Sequence, residues 1–381
     1  MLRKCDEAIY LRLKLGQGFE LREKQLYFLT PAILGFMPTL YGRNWTRDEL
    51  RRSSGTLRQI AGCAQYELTD GAERGVQMLD IRTGSGFRFC VCPSRGLDIT
   101  FAEHNGRALC WNSSTGTVHP AFYQEDNLGW LRGFTGGLLT TCGFSSFGPP
   151  CEDEGETYGI HDRASYLPAS NVAVSEEWKS VDGDDSYEIS ISGTNRETRV
   201  FGPNLKLTRR IVARLGESKL TVYDRLENDG FEPAPAVVLY HCNFGFPVVS
   251  ENSVIEAPSA QCRPRDAAAE VGAENWAQLE APQPGYAERV YFHNMTPDAE
   301  GFVRATIRNT ELNTGAYIRY RAAPLPFFTQ WKMMGAGDYV CGLEPSNAPL
   351  ASRADLRVRG ELPILQPGEA LEFEVELGAL D

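Results

Sequence analysis

Two stretches far apart in the chain carry side chains that could move protons. The first is Val237-Val238-Leu239-Tyr240-His241-Cys242-Asn243-Phe244-Gly245-Phe246-Pro247. Its apolar run reads as a buried strand. Side chains alternate between the faces of a strand, so His241 and Asn243 share one face. Gly245 and Pro247 then break the strand. An imidazole at the end of a buried strand, with an amide beside it, suits proton handling on a polar ligand. The same histidine reads equally as a core residue whose ring nitrogens are satisfied by neighbours. The second stretch is Tyr339-Val340-Cys341-Gly342-Leu343-Glu344-Pro345-Ser346-Asn347. An apolar strand runs into an acid, and Pro345 ends the ladder with Glu344 at the tip. In a partly desolvated cleft this carboxyl would have a raised pKa and act as a base near neutral pH. Facing water, it would be an ordinary strand-end glutamate.

Other groups could serve as ligands. His161 stands in Tyr158-Gly159-Ile160-His161-Asp162-Arg163, after the Gly- and Pro-bearing run 143–155. A His-Asp-Arg cluster on such a loop fits ligand recognition through His161 and Arg163, or a surface turn with a local ion pair. Arg95 and Asp98 follow a strand and could be a structural pair or hydroxyl ligands. In Pro326-Phe327-Phe328-Thr329-Gln330-Trp331-Lys332, aromatic faces alternate with the amide of Gln330 and the ammonium of Lys332. Those are groups that bind a sugar ring, and they are also ordinary strand alternation. His104 sits in a polar turn and reads as solvated, while His119 and His293 have no evident partners. There is no nucleophile elbow, phosphate loop or His-Glu-x-x-His zinc spacing. A metal held by His161, His241 and Glu344 is conceivable, but no spacing requires it, and none is expected.

Strands must position these groups. Short apolar or alternating runs cover residues 64–68, 76–81, 87–91, 187–191, 205–215 and 220–226. The clearest is Leu371, Phe373, Val375 and Leu377 alternating with Glu372, Glu374 and Glu376 after a Pro367-Gly368 turn. Many strands, short turns and little helical periodicity predict an all-β protein, a large antiparallel sandwich over residues 61–381. Residues 1–60 differ and read as a short mixed or helical N-terminal extension packed on the main body. Within it Thr46-Arg47-Asp48-Glu49 fits a capping box opening a short helix that stops at Gly55. Residues 182–186 read as a polar loop. The 381 residues carry 38 Lys and Arg against 50 Asp and Glu, a net charge of −12. That balance argues against nucleic acid and anionic membranes as partners. The ten cysteines show no Cys-x-x-Cys pair and read as reduced thiols. Residues 1–25 are studded with charge and lack a signal-peptide core. Residues 27–41, broken by Pro31 and Pro38, fall short of the about 20 apolar residues a membrane helix needs. A cytoplasmic location is expected, and a homo-oligomer is left open.

Taken together, Ser94-Arg95-Gly96-Leu97-Asp98-Ile99, Thr140-Thr141-Cys142-Gly143, Gly159-Ile160-His161-Asp162-Arg163, Leu239-Tyr240-His241-Cys242-Asn243-Phe244-Gly245 and Gly342-Leu343-Glu344-Pro345 resemble the galactose mutarotase-like superfamily. The resemblance is to its aldose 1-epimerase family proteins of uncharacterised specificity, and it spans about residues 60–381. It implies a β-supersandwich with a sugar cleft across one sheet. It implies that His241 is the general acid, Glu344 the general base and His161 the second histidine near the anomeric centre. Arg163, Asn243, Gln330 and Lys332 are then expected as substrate contacts, with Arg95 and Asp98 as further candidates. The chain departs from true galactose mutarotases in having Thr140-Thr141-Cys142-Gly143 where an asparagine–arginine motif precedes the first histidine, and the substrate-gripping aspartate has no evident counterpart. These departures argue against galactose itself; the expected partner is a small-molecule sugar that the sequence does not name, and no cofactor is implied. The expected activity is anomer interconversion. The alternatives are a keto-sugar epimerase or lyase using the same acid–base pair, and a carbohydrate-binding protein without turnover.

Overall fold

A computed structural model describes residues 37–380 except 182 and 183. The expectations for residues 1–36 and for the centre of the 182–186 loop lie outside the described residues. Three antiparallel sheets account for most of the chain. The eight-stranded sheet runs, edge to edge, through Ser170–Val181, Asp184–Thr198, Asn204–Arg214, Lys219–Asn228, Ala370–Leu380, Thr314–Arg321, Phe302–Asn309 and Ser253–Glu256. The six-stranded sheet runs through Ser259–Pro264, Arg289–Met295, Phe327–Met334, Tyr339–Ser346, Val237–Gly245 and Thr140–Phe144. A five-stranded sheet is built from Gly62–Glu67, Gln77–Arg82, Phe87–Cys92, Asp98–His104 and Arg107–Ala108. The expected all-β antiparallel sandwich is what forms.

Alternation explains the layers. In Ala370–Leu380, Phe373, Val375 and Leu377 are buried, while Glu374 and Glu376 pair with Arg321 and Lys219 on the other face. The main core joins Tyr240, Cys242, Phe244, Phe328 and Leu343 of the six-stranded sheet to Ile191, Leu207, Ile211, Val222, Ile318 and Val375 of the eight-stranded one. Val237 and Leu239 point the other way. They join Cys142, Trp130, Phe134, Phe147 and Tyr166 in a second apolar cluster on the outer face of the six-stranded sheet. That outer face is where the candidate site lies.

The capping box at Thr46 is present, with Glu49 N–H donating to Thr46 Oγ1 and Thr46 N–H to Glu49 Oε2. The helix runs Arg47–Ser53, and its Leu50 is part of the main core, as is Leu40. His104, expected in water, is buried against Phe87 at the end of its strand. The nine described cysteines are free thiols. Among the described residues no helix is long and apolar enough to cross a membrane.

Candidate active site

His241 lies in the strand Val237–Gly245, all of whose residues are buried. Glu344 lies in its antiparallel neighbour Tyr339–Ser346. The pairing of Leu239 with Ser346 and of Cys242 with Leu343 sets His241 directly opposite Glu344. On the flanking strands, Thr140 stands beside His241 and Thr329 beside Glu344. One row of side chains therefore crosses the sheet as Thr140, His241, Glu344 and Thr329. Directly paired residues share a face, so all four project outward together.

The result is a close acid–base pair. His241 Nε2 is 3.4 Å from Glu344 Oε1. Only 5% of His241 and 2% of Glu344 remain exposed. His161 reaches the same place from a loop, with its ring centroid 5.6 Å from that of His241 at 86°. The loop is pinned by His161 N–H to Gly148 carbonyl, 3.1 Å, and by Gly143 N–H to His161 carbonyl, 3.3 Å. His161 and Asp162 both take left-handed backbone, φ 58° and 55°, which L residues adopt at a cost and which turns the imidazole into the sheet. Asn243 shares the His241 face, and its amide N–H donates to the His241 carbonyl at 2.8 Å.

Aromatic rings wall this group. Phe134 and Trp331 lie 5.2 and 5.4 Å from the His241 ring, and Trp130 lies 4.9 Å from His161. Trp111 stands 6.2 Å from Trp331 and 5.7 Å from Phe134. Within this apolar surround Glu344 Oε1, His241 Nδ1, His161 Nδ1 and Asn243 Oδ1 are buried without a hydrogen-bond partner. Buried polar atoms are rarely left so, which makes this the candidate place for a polar ligand.

Burial also sets the charge state. Desolvation, with repulsion from His161, lowers the His241 pKa to about 3, and desolvation lowers that of His161 to about 4. Desolvation, reinforced by the charge of Glu288, pushes Glu344 well above the ordinary carboxylate range. Burial thus disfavours the charged form of both groups, and a proton shared by the pair is favoured on Glu344 over His241.

The other expected ligands are engaged elsewhere. Gln330 and Lys332 alternate with Thr329 and Trp331 and so project to the opposite face of the sheet. Gln330 bonds His293 Nε2 and the Trp276 carbonyl, and Lys332 bonds the Gln278 carbonyl and Glu280. His293 thereby has partners, Gln330 and Ser259 Oγ. Arg95 is buried behind the site, donating to the carbonyls of Ser165 and Val118, with its guanidinium 4.2 Å over Tyr166. Asp98 accepts from the N–H and hydroxyl of Thr141 and pairs with Arg209. Arg163 turns to Glu125 and Asp162. Thus His241, Glu344, His161 and Asn243 converge, whereas Arg95, Asp98, Arg163, Gln330 and Lys332 have protein partners. No group of three or more His, Cys, Asp or Glu suited to a metal ion occurs among the described residues.

Sequence reading passed over the walls Trp111, Trp130 and Phe134, whose signal is only their aromatic type. It also passed over Gly342. A Cβ there would collide with Glu344 Oε1 and press on Trp331 Cβ, so the glycine makes room for the carboxyl to lie over the sheet.

A family model described as a domain of unknown function, DUF4432, matches residues 73–379. No protein of curated function matches the chain. Among solved structures, one named a putative aldose 1-epimerase, from Klebsiella pneumoniae subsp. pneumoniae MGH 78578, is 27% identical. The match covers 84% of this chain and 83% of that one, with a TM-score of 0.78. A galactose mutarotase-like protein from Clostridium acetobutylicum is 14% identical over 85% of this chain and 99% of its own, TM-score 0.57. A galactose 1-epimerase from Lactobacillus acidophilus NCFM is 14% identical over 84% and 98%, TM-score 0.53. At 14% identity the likeness is one of fold.

Proposed function

The chain belongs to the DUF4432 family, with the galactose mutarotase-like fold, and we propose that it is an aldose 1-epimerase interconverting the anomers of a free sugar or sugar derivative. The observation that carries this reading is the His241–Glu344 pair, 3.4 Å apart, among buried polar atoms that lack partners.

The reaction asks for one base and one acid on the two oxygens of a hemiacetal. The pair holds one proton, and with that proton on His241 it supplies both. Glu344 takes the proton of the C1 hydroxyl while His241 gives its proton to the ring oxygen. The bond between C1 and the ring oxygen breaks, leaving an open-chain aldehyde. Rotation about C1–C2 presents the other face. On closure the ring hydroxyl returns its proton to His241 and the carbonyl oxygen takes one from Glu344. Proton count is restored, and proton transfer between two side chains is the only chemistry required. In this reading His161 and Asn243 bond hydroxyls near the anomeric carbon, and the aromatic walls lie against the C–H faces of the ring.

The test is mutarotation followed by polarimetry or NMR across a panel of monosaccharides. His241→Asn and Glu344→Gln should each reduce the catalysed rate by at least about a hundredfold, the usual range for losing an acid–base group. Full rates in both variants would refute the assignment. Deuterium wash-in at a sugar carbon would instead indicate enolisation, because mutarotation exchanges hydroxyl protons only.

A further inference from the structure

Trp331 stands out among the site walls for how it is held. It sits opposite Gly342 in the neighbouring strand, where the Glu344 carboxyl fills the space a side chain would take. Its indole N–H donates to Glu288 Oε2 at 2.9 Å. Glu288 immediately precedes the strand Arg289–Met295, and its other oxygen accepts from Arg265 Nη2 at 3.0 Å. Arg265 in turn pairs with Asp266. A chain of bonds thus runs from Asp266 through Arg265 and Glu288 to the indole that faces His241.

We propose that Glu288 is a positioning residue of this site, latching Trp331 as one of the rings that wall the His241–Glu344 pair. This rests on the mutarotase reading for its effect on turnover, but not for the latch itself. The Glu288 side chain is about half exposed, 48%, and the fold gains little from it. A bond from a neutral donor to a carboxylate is stronger than a neutral–neutral one, and here it fixes a ring that packs 5.4 Å from His241. Its charge is also felt at Glu344, which favours the protonated carboxyl. The other titratable groups around Glu344 are His241, His161 beyond it, and the thiols of Cys142, Cys242 and Cys341, while Arg265 partly offsets Glu288.

Two substitutions separate the latch from the charge. Glu288→Gln keeps an acceptor for the indole, and Glu288→Ala removes it. The indole N–H resonance of Trp331 in a nitrogen–proton correlation spectrum is identified by its loss in Trp331→Phe. In Glu288→Ala that resonance should shift and exchange faster with water, and KM for the best sugar should rise about tenfold. In Glu288→Gln the resonance should keep its protection and KM should stay within about twofold. The alkaline limb of kcat/KM should then move to lower pH, because a negative neighbour of Glu344 is gone. Adding Glu288→Ala to Trp331→Phe should raise KM no further. An unchanged resonance and unchanged KM in Glu288→Ala would overturn the proposal, as would a full additional loss in the double variant. If the wild type mutarotates no sugar, the mutarotase reading fails, and the resonance alone decides whether Glu288 holds Trp331.

Discussion

An imidazole and a carboxyl buried within reach of each other behave as one titrating unit, and this governs the expected pH dependence. Burial lowers the His241 pKa to about 3 and raises that of Glu344. Between those limits the pair holds one proton, which is the state the reaction needs. Acid adds a second proton and removes the base, and alkali strips the last proton and removes the acid. The profile of kcat/KM should therefore lose its acid limb only near the His241 limit of about 3, with the alkaline limb displaced upward from the ordinary carboxylate range. A single midpoint near the unperturbed glutamate value of about 4.3 or histidine value of about 6.5 would contradict the buried pair. At this scale the sequence was informative about residue type. His241 and Glu344 carried the resemblance and are the residues that meet. It was uninformative about Arg95 and Asp98, which do not pair with each other but bond backbone carbonyls and Arg209, partners distant in the chain.

Strands decide which side chains reach the site, and their phase is the critical quantity. The run Phe327–Met334 alternates in a way that offers aromatic rings to both faces, Phe327 and Trp331 on one and Phe328 on the other. Nothing local says which set faces the ligand. Pairing of Thr329 with Glu344 settles it, and Gln330 and Lys332 turn to the inner face with Trp276, Gln278 and Glu280. Gly342 shows the same dependence on a neighbour. Its own type says nothing of a site, yet the space above it holds the Glu344 carboxyl. Gly342→Ala should displace that carboxyl by collision with its new Cβ. We expect a loss of at least about a hundredfold in kcat, with overpacking costing about 1–3 kcal/mol of stability. Wild-type kcat in this variant, measured with a thermal melt beside it, would show that the carboxyl need not occupy that position.

Across the whole molecule the site depends on a buried ionic junction beneath it. Arg209 donates to both oxygens of Asp224 at 2.9 and 2.7 Å and to Asp98 at 3.1 Å. Tyr240, next to His241 in sequence and facing inward, donates to Asp224 at 2.7 Å. Asp98 accepts from Thr141, next to Thr140, at 2.6 Å. Arg209 and Asp224 belong to the eight-stranded sheet, Asp98 to the five-stranded one, and Tyr240 and Thr141 to the site sheet. Five side chains thus tie three sheets together directly behind the His241 row. Breaking a buried pair leaves an uncompensated charge, so Asp224→Asn should cost about 3–5 kcal/mol, read as a lower urea midpoint at unchanged slope. A midpoint equal to wild type would show that the junction contributes nothing to holding the sheets.

Local pattern was enough to settle much of this protein. Alternation, turn residues and the capping box identified an antiparallel sandwich, several of its strands and the short helix at Arg47–Ser53, because each depends on residues a few positions apart. The apolar runs ending at His241 and Glu344 marked the two strands that matter. Only the tertiary structure decided that these strands are neighbours, that their register sets the two side chains opposite each other, and that a loop with left-handed backbone brings His161 to them. Backbone hydrogen bonds between strands are the same whatever the side chains. Register and facing are therefore fixed by how distant apolar faces bury one another, which no short window of residues contains.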